Sequence, residues 1–207
     1  METQAGCDRS RVDQAGRGQM SRQVEAHVSE RNACSVTCGG DPVDQALLQS
    51  RLQDWRPDLI GTLMFIRDAD RVLLIHKRRG HGAGRINGPG GKLEPDESPL
   101  ACALRETVED TGVVAIQPVR VARMRFLDTE SPDWLGHVFL AYGYTGTPVA
   151  TDEALPEWFP LAALPLDRMW PDDALWLPRI LAGEQLAGDF LFAAGVLRAW
   201  TLGPLAL

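Results

Sequence analysis

The fold is decided by residues 86–113, which begin with Ile86-Asn-Gly-Pro-Gly-Gly-Lys and end with Arg105-Glu-Thr-Val-Glu-Asp-Thr-Gly-Val. A glycine-rich loop leads there into a helix that carries Glu106, Glu109 and Asp110 at spacings of three and four. Such spacings place the three side chains on one helical face, roughly 5–6 Å apart at Cβ, where like charges repel. Hard divalent cations such as Mg2+ bind carboxylate oxygens and relieve this repulsion. The cluster therefore predicts a metal site, and a solvated acidic face is the alternative.

Signals for the ends of this helix flank the acidic cluster. Ser98 can cap the helix, Pro99 fits its first turn, and Gly112 suits the position after its last turn. Apolar residues recur within it every four positions and predict its buried side, namely Leu100, Leu104 and Val108. The three carboxylates fall away from that side, where a ligand can reach them.

The same stretch resembles a known motif. Gly91, Glu97, Arg105-Glu106, Glu109-Asp110 and Gly112-Val113 follow one another at the spacing of the Nudix box, found in hydrolases of nucleoside-diphosphate-linked compounds. Two positions depart from the box, because Thr107 replaces an aliphatic residue and Asp110 replaces a glutamate. The resemblance implies an α/β fold, specifically the Nudix α/β/α sandwich with a mixed β-sheet.

The resemblance also assigns roles to residues of the box. It implies that Mg2+, with Mn2+ as a possible substitute, is held by Glu106, Glu109 and Asp110, and that the backbone carbonyl of Gly90 is a further ligand. Glu106 is the expected base for the attacking water, and Arg105 is expected to orient a carboxylate through a bidentate ion pair. The catalytic residues are therefore expected to be Arg105, Glu106 and Glu109. The alternative is that Glu106 only pairs with a neighbouring base.

Residues 169–173, Met-Trp-Pro-Asp-Asp, form the second informative stretch. Proline and aspartate are common at the start of a helix, and that preference alone explains them. Adjacent Asp172 and Asp173 in an apolar setting can also split their pKa values, so that one is protonated and donates while the other accepts. Such a pair suits the edge of a purine, with Trp170 covering the face of the base.

Several segments resemble one branch of the Nudix family, the oxidised-purine nucleoside triphosphatases (8-oxo-dGTP diphosphatases). They are residues 77–80, 82–88, 137–139, 146–149 and 170–173. The resemblance implies a base site made of Asn87, Trp170, Asp172 and Asp173, with secondary substrate contacts at Thr62 and Lys77. Lys92 can meet a phosphate as a point charge. His81, Ile86 and Pro89 stand where the branch has Phe, Trp and Phe, so several walls of the pocket differ.

The expected activity is therefore the Mg2+-dependent hydrolysis of oxidised purine nucleoside triphosphates, of the 8-oxo-dGTP type, to the monophosphate and pyrophosphate. This reaction would remove damaged nucleotides from the pool. Two alternatives stay open. One is a Nudix pyrophosphohydrolase for another nucleoside di- or triphosphate derivative, and the other is a non-catalytic module that senses a nucleotide.

Composition narrows the possible partners and the location. The formal net charge of −7 argues against a nucleic-acid duplex or an anionic membrane as the main partner. No apolar run approaches ~20 residues, so we expect no membrane span. Four cysteines without a Cys-X-X-Cys pair favour reduced thiols in the cytoplasm. We expect a cytoplasmic monomer or homodimer whose partner is a small-molecule nucleotide.

The chain divides into four predicted segments. Residues 1–40 are rich in Arg, Gln, Ser, Gly and Asp, which predicts a disordered or non-native extension. Residues 41–58 are predicted to be a short helical lead-in, 59–193 the Nudix hydrolase domain, and 194–207 a C-terminal tail. Apolar patterning predicts strands at 59–67, 71–77, 115–127, 134–144, 156–161 and 189–192, and helices at 43–53 and 171–181.

Overall fold

The structure is a computed structural model that describes residues 35–206. The prediction of an extension over residues 1–34 lies outside the described residues. Within the described range the elements are β1 (Thr37–Gly40), α1 (Pro42–Leu52), β2 (Leu59–Asp68), β3 (Arg71–Lys77), β4 (Ile86–Asn87), α2 (Pro99–Thr111), β5 (Val114–Ile116), β6 (Val119–Asp128), β7 (Trp134–Ala141), β8 (Gly143–Thr145), β9 (Ala154–Pro160), α3 (Asp173–Leu181), β10 (Leu186–Ala193) and β11 (Val196–Pro204).

One large mixed sheet forms the centre of the described region. Its strand order is β1-β11-β10-β6-β7-β2-β3-β4, and β9 pairs with β3. The pairs β2–β7 and β6–β10 are parallel, whereas β2–β3, β6–β7 and β10–β11 are antiparallel. β5 and β8 form a separate two-stranded sheet.

Helices cover both faces of the large sheet. Consecutive residues of a strand point to opposite faces, and β2 shows this directly. Met64 and Ile66 pack with Ala103 of α2 on one face. Phe65 meets Trp176 of α3 on the other face, with the ring centroids 5.9 Å apart. The predicted α/β/α sandwich with a mixed sheet is therefore confirmed.

The ends of α2 agree with its sequence signals, but its predicted buried side is wrong. The Ser98 side chain accepts a hydrogen bond from the amide of Ala101, and Gly112 ends the helix with φ 71°. Leu100 and Val108 are 41% and 43% exposed. The buried positions are instead small or polar: Cys102, Ala103, Thr107, Asp110 and Thr111. Small side chains let α2 lie close to the sheet and the glycine loop, so Leu100 and Val108 face outwards, while Leu104 still packs partly buried against the core.

Several predicted boundaries also differ. Residues 37–40, placed in the N-terminal extension, form β1, and residues 196–204, placed in the C-terminal tail, form β11, which pairs with it. The strands predicted at 115–127 and 134–144 are each divided in two. The hairpin of β2 and β3 and the helices α1 and α3 match the predicted segments closely. No helix between residues 35 and 206 is long and apolar enough to cross a membrane.

Candidate active site

A cavity of about 510 Å³ brings most of the predicted site residues together. Its wall includes Thr62, Lys77, Asn87, Gly90, Lys92, Glu106, Trp170, Asp172 and Asp173. These residues come from β2, β3, β4, the glycine loop, α2 and the segment before α3. Three further predicted residues lie on α2 outside the lining: Arg105 contacts Glu106 of the wall, Asp110 contacts Gly90 of the wall, and Glu109 contacts Arg105.

The glycine loop is pressed between β2 and α2. Its carbonyls at Pro89 and Gly91 accept hydrogen bonds from the amides of Met64 and Thr62, at 2.8 and 2.9 Å. A Cβ atom at Gly91 would collide with the carboxylate of Glu106. A side chain at position 91 would therefore displace that carboxylate, whereas a Cβ atom at Gly90 would collide with the backbone carbonyl of Thr62, so glycine is required at position 90.

Arg105 holds a network of three glutamates. Its guanidinium donates to both carboxylate oxygens of Glu97, at 2.9 and 2.8 Å, and its Nη1 donates to Glu106 at 2.9 Å and Glu109 at 3.1 Å. Arg105 lowers the pKa of Glu97 to about 2. Burial has the opposite effect on Glu106 and raises the pKa of that carboxyl. The predicted bidentate ion pair of Arg105 is present, and its partner is Glu97.

Asp110 is buried, and its hydrogen-bond partners differ from those of the two box glutamates. It is 1% exposed, and its carboxylate accepts hydrogen bonds from the Lys77 ammonium at 3.3 Å and the Gly90 amide at 3.2 Å. Burial raises the pKa of Asp110, and Lys77 opposes this shift. The sequence predicted that Asp110 lies on an accessible face of the helix. This prediction is wrong, because the residue is buried.

The three box carboxylates do not converge on one point. Glu106 and Glu109 both form ion pairs with Arg105, whereas Asp110 forms an ion pair with Lys77. Among residues 35–206, no three His, Cys, Asp or Glu side chains are grouped as a ready metal site. The assignment of Glu106, Glu109, Asp110 and the Gly90 carbonyl as metal ligands remains a prediction, in which Glu106 and Glu109 would use the carboxylate oxygens that Arg105 does not bind.

The opposite end of the cavity contains two buried aspartates. Asp172 and Asp173 are 2% and 1% exposed. The indole of Trp176 donates to Asp172 at 2.8 Å, and the backbone amide of Trp170 donates to Asp173 at 2.9 Å. Burial raises the pKa of Asp172 to about 6, and burial together with the neighbouring Asp172 raises the pKa of Asp173 well above its usual value. A protonated carboxyl in this pair can donate a hydrogen bond to a ligand.

An aromatic layer that the sequence did not reveal crosses the same cavity. His81 stacks between Trp134 and Trp170, with centroid distances of 5.2 and 5.1 Å. Arg85 lies over the Trp170 ring at 4.4 Å, and Lys92 lies over the Trp134 ring at 5.3 Å. Burial and the charge of Lys92 lower the pKa of His81, which favours the neutral ring. The sequence contained one signal for this stack. His81 stands where the branch that the sequence resembles has Phe, and histidine also has a flat ring.

Comparison with known proteins agrees with this arrangement. The model of the NUDIX domain matches residues 57–180. The oxidized purine nucleoside triphosphate hydrolase of Mus musculus is 38% identical over 132 residues, which cover 63% of this chain and 85% of that protein. The Danio rerio protein of the same name is 37% identical over 134 residues, with coverage of 63% and 85%. A crystal structure of a mutator MutT protein from Bacillus halodurans has a TM-score of 0.61 at 25% identity and covers 72% of this chain and 99% of that one. With the box on α2 and the mixed sheet between helices, these matches show that the chain belongs to the Nudix hydrolase family.

Proposed function

We propose that this Nudix hydrolase converts oxidised purine nucleoside triphosphates, of the 8-oxo-dGTP type, to the monophosphate and pyrophosphate in the presence of Mg2+. One observation carries the proposal: a single cavity joins the buried Asp172/Asp173 pair to Glu106 of the box. The mouse and zebrafish relatives, named as oxidised purine nucleoside triphosphate hydrolases, support the same substrate class. Free nucleotides are the substrate pool, so the proposed location is the cytoplasm.

The donor set at the box end fits a hard divalent cation. Glu106 lines the cavity, and only one of its carboxylate oxygens is bound by Arg105. Gly90 lies in the same wall, and its backbone carbonyl would be a further ligand. Carboxylate and backbone carbonyl oxygens are the ligands that Mg2+ prefers. A bound cation would supply positive charge that stabilises the phosphate oxygens as the phosphoanhydride bond breaks.

The side chains around the proposed cation site have different roles in the proposed reaction. Burial raises the pKa of Glu106, which strengthens the carboxylate as an acceptor for the proton of the attacking water. Arg105 fixes Glu106 and Glu109 by ion pairs. Lys77 and Lys92 place two ammonium groups in the cavity wall, where they can attract the triphosphate.

The other end of the cavity supplies recognition of the base. The Oδ1 atom of Asn87 accepts a hydrogen bond from the Gly88 amide, which directs the side-chain amide group of Asn87 to donate elsewhere. One protonated and one ionised carboxyl at Asp172 and Asp173 would offer a donor and an acceptor to the edge of a purine. Trp170 provides a flat surface for the face of the base.

A second candidate keeps the chemistry and changes the nucleotide. His81, Ile86 and Pro89 replace aromatic residues that the oxidised-purine branch has at these positions. His81 directly contacts Trp170, so a change there affects the surface on which the base would stack. This observation favours a shifted base preference, for example towards another nucleoside di- or triphosphate derivative.

A substrate panel separates the two candidates. Pyrophosphate release in Mg2+ would be measured with 8-oxo-dGTP, 2-hydroxy-dATP, dGTP and dCTP, for the wild type and Asp172→Asn. The proposal expects the oxidised purines to have the highest kcat/KM and the variant to lose that preference. Equal kcat/KM on all four nucleotides would support the second candidate, and no turnover of either oxidised purine would reject the proposed substrate.

A further inference from the structure

The loop of residues 128–133, between β6 and β7, forms part of the cavity wall. Asp128, Ser131 and Pro132 line the cavity, as does Trp134, which follows the loop. Trp134 in turn stacks on His81. Trp134 is the first residue of β7, so the loop leads directly into the strand that carries an aromatic ring beside the expected base site.

Asp133 anchors the loop from behind. The residue is 7% exposed. Its backbone carbonyl accepts hydrogen bonds from the amides of Asp58 and Leu59, at 2.9 and 3.0 Å, and its amide donates to the Asp58 carboxylate at 2.8 Å. Its own carboxylate accepts a bond from the amide of Asp128 at 3.1 Å, which ties the two ends of the loop together.

The charge of this buried carboxylate is balanced from α1 and the segment after it. Arg51 donates to both carboxylate oxygens of Asp133, at 2.7 and 2.9 Å, and to the backbone carbonyl of Asp128 at 2.8 Å. The indole of Trp55 donates to the same carboxylate at 2.9 Å. A buried carboxylate that loses such a partner is left uncompensated, which is strongly unfavourable.

Both donors lie outside the part of the chain that matches the family. The NUDIX domain model matches residues 57–180, whereas Arg51 and Trp55 precede residue 57. Helix α1 is fixed to the sheet by Leu48, which packs with Leu127, Leu191 and Ala199. A rigid element outside the matched domain thus holds both ends of a loop in the cavity wall.

We propose that Arg51 is a positioning residue for the substrate pocket: through Asp133 it fixes residues 128–134, and Trp134 in particular, in the place that the base requires. Arg51 touches neither the reacting groups nor the cavity; it acts through the loop. The inference rests on the proposed function for its kinetic test, and a second measurement below is independent of turnover.

The kinetic test compares Arg51→Gln and Trp55→Phe with the control Arg198→Gln. Arg198 binds Asp44 at 2.9 Å, and Asp44 lies in α1, the helix that also contains Arg51. Arg198 has no contact with the loop, so Arg198→Gln should weaken only the attachment of α1. Arg51→Gln should raise KM for the preferred purine nucleotide roughly tenfold, with kcat within about twofold, because binding geometry and not the chemical step is disturbed. Trp55→Phe should raise KM less, and Arg51→Lys should recover part of the loss.

Hydrogen exchange of residues 126–134 is the measurement that does not need activity. Arg51→Gln should accelerate exchange in this segment, and Arg198→Gln should leave it unchanged. If the wild type hydrolyses no nucleotide, the proposed function fails, yet the exchange result still tests the anchor. Unchanged KM and unchanged exchange in folded Arg51→Gln, or an equal rise of KM in Arg198→Gln, would overturn the inference.

Discussion

Asp172 and Asp173 are adjacent in the chain and both buried, yet they accept hydrogen bonds from two different tryptophans. Asp172 is bonded to the indole of Trp176, and Asp173 is bonded to the backbone amide of Trp170. Each carboxyl therefore keeps an oxygen for another partner, and both line the cavity. Burial in the fold therefore favours the protonated form of each carboxyl more than bulk water does.

The free energy of unfolding should depend on pH through this pair. Burial raises the folded-state pKa of Asp172 from 3.8 to about 6, and burial together with the neighbouring Asp172 raises that of Asp173 well above its usual value. When the folded-state pKa of a carboxyl is raised, its contribution to the free energy of unfolding is fully present below the unfolded-state pKa. That contribution is lost as the pH rises through the folded-state pKa. Asp173→Asn should therefore make the free energy of unfolding fall less steeply as the pH rises from the unfolded-state pKa towards neutrality.

Urea unfolding at a series of pH values checks this prediction. Asp189→Asn serves as the control, because Asp189 is an aspartate of β10 in an ion pair with Arg125, outside the cavity. The account predicts that the curve of Asp173→Asn is flatter than that of the wild type on the neutral side. Parallel curves would show that both aspartates are ionised in the folded protein.

The aromatic layer should contribute to binding of the base. His81 joins Trp134 to Trp170, so its removal leaves the Trp170 ring without one of its stacking partners. His81→Ala should raise KM for a purine nucleotide roughly threefold to tenfold. His81→Phe keeps a flat ring and should stay close to the wild-type KM. Steady-state kinetics of the two variants measure this, and an equal KM for His81→Ala and the wild type would contradict it.

The orientation of α2 predicts which substitutions in this helix lower the stability. A change at Ala103 should cost more than a change at Leu100, the reverse of what the apolar spacing in the sequence predicts. Ala103 is fully buried between α2 and the sheet, whereas Leu100 is 41% exposed. Ala103→Leu should lower the free energy of unfolding by about 1–3 kcal/mol, because the larger side chain forces the helix away from the sheet. Leu100→Ala should change it by less than about 0.5 kcal/mol. Thermal or urea unfolding measures both changes. A larger loss of unfolding free energy for Leu100→Ala than for Ala103→Leu would contradict the observed orientation and support the buried side that the sequence predicted.

The sequence predicted the sandwich and most of the cavity residues through their resemblance to the Nudix family, and local signals predicted individual elements. The caps of α2, the β2–β3 hairpin and the spacing of the box are set by neighbouring residues. The orientation of α2 was not predicted, because apolar spacing alone cannot weigh Leu100 against the close approach that Cys102 and Ala103 allow. Strand β1 was missed because its partner β11 lies far along the chain, whereas β11 forms a local hairpin with β10 whose turn at residues 194–195 was not recognised in the sequence. The stacking of His81 and the Arg51–Asp133 pair likewise join segments that are remote in sequence.

The most direct test of the central claim is to quantify 8-oxo-dGMP and pyrophosphate produced from 8-oxo-dGTP in Mg2+ by the wild type and Glu106→Gln. Glu106 lines the cavity and is held by Arg105, so the amide variant should fold normally. The account predicts equal amounts of the two products from the wild type and a loss of roughly a thousandfold in kcat for the variant. Equal turnover by the variant, or no pyrophosphate from the wild type, would contradict it.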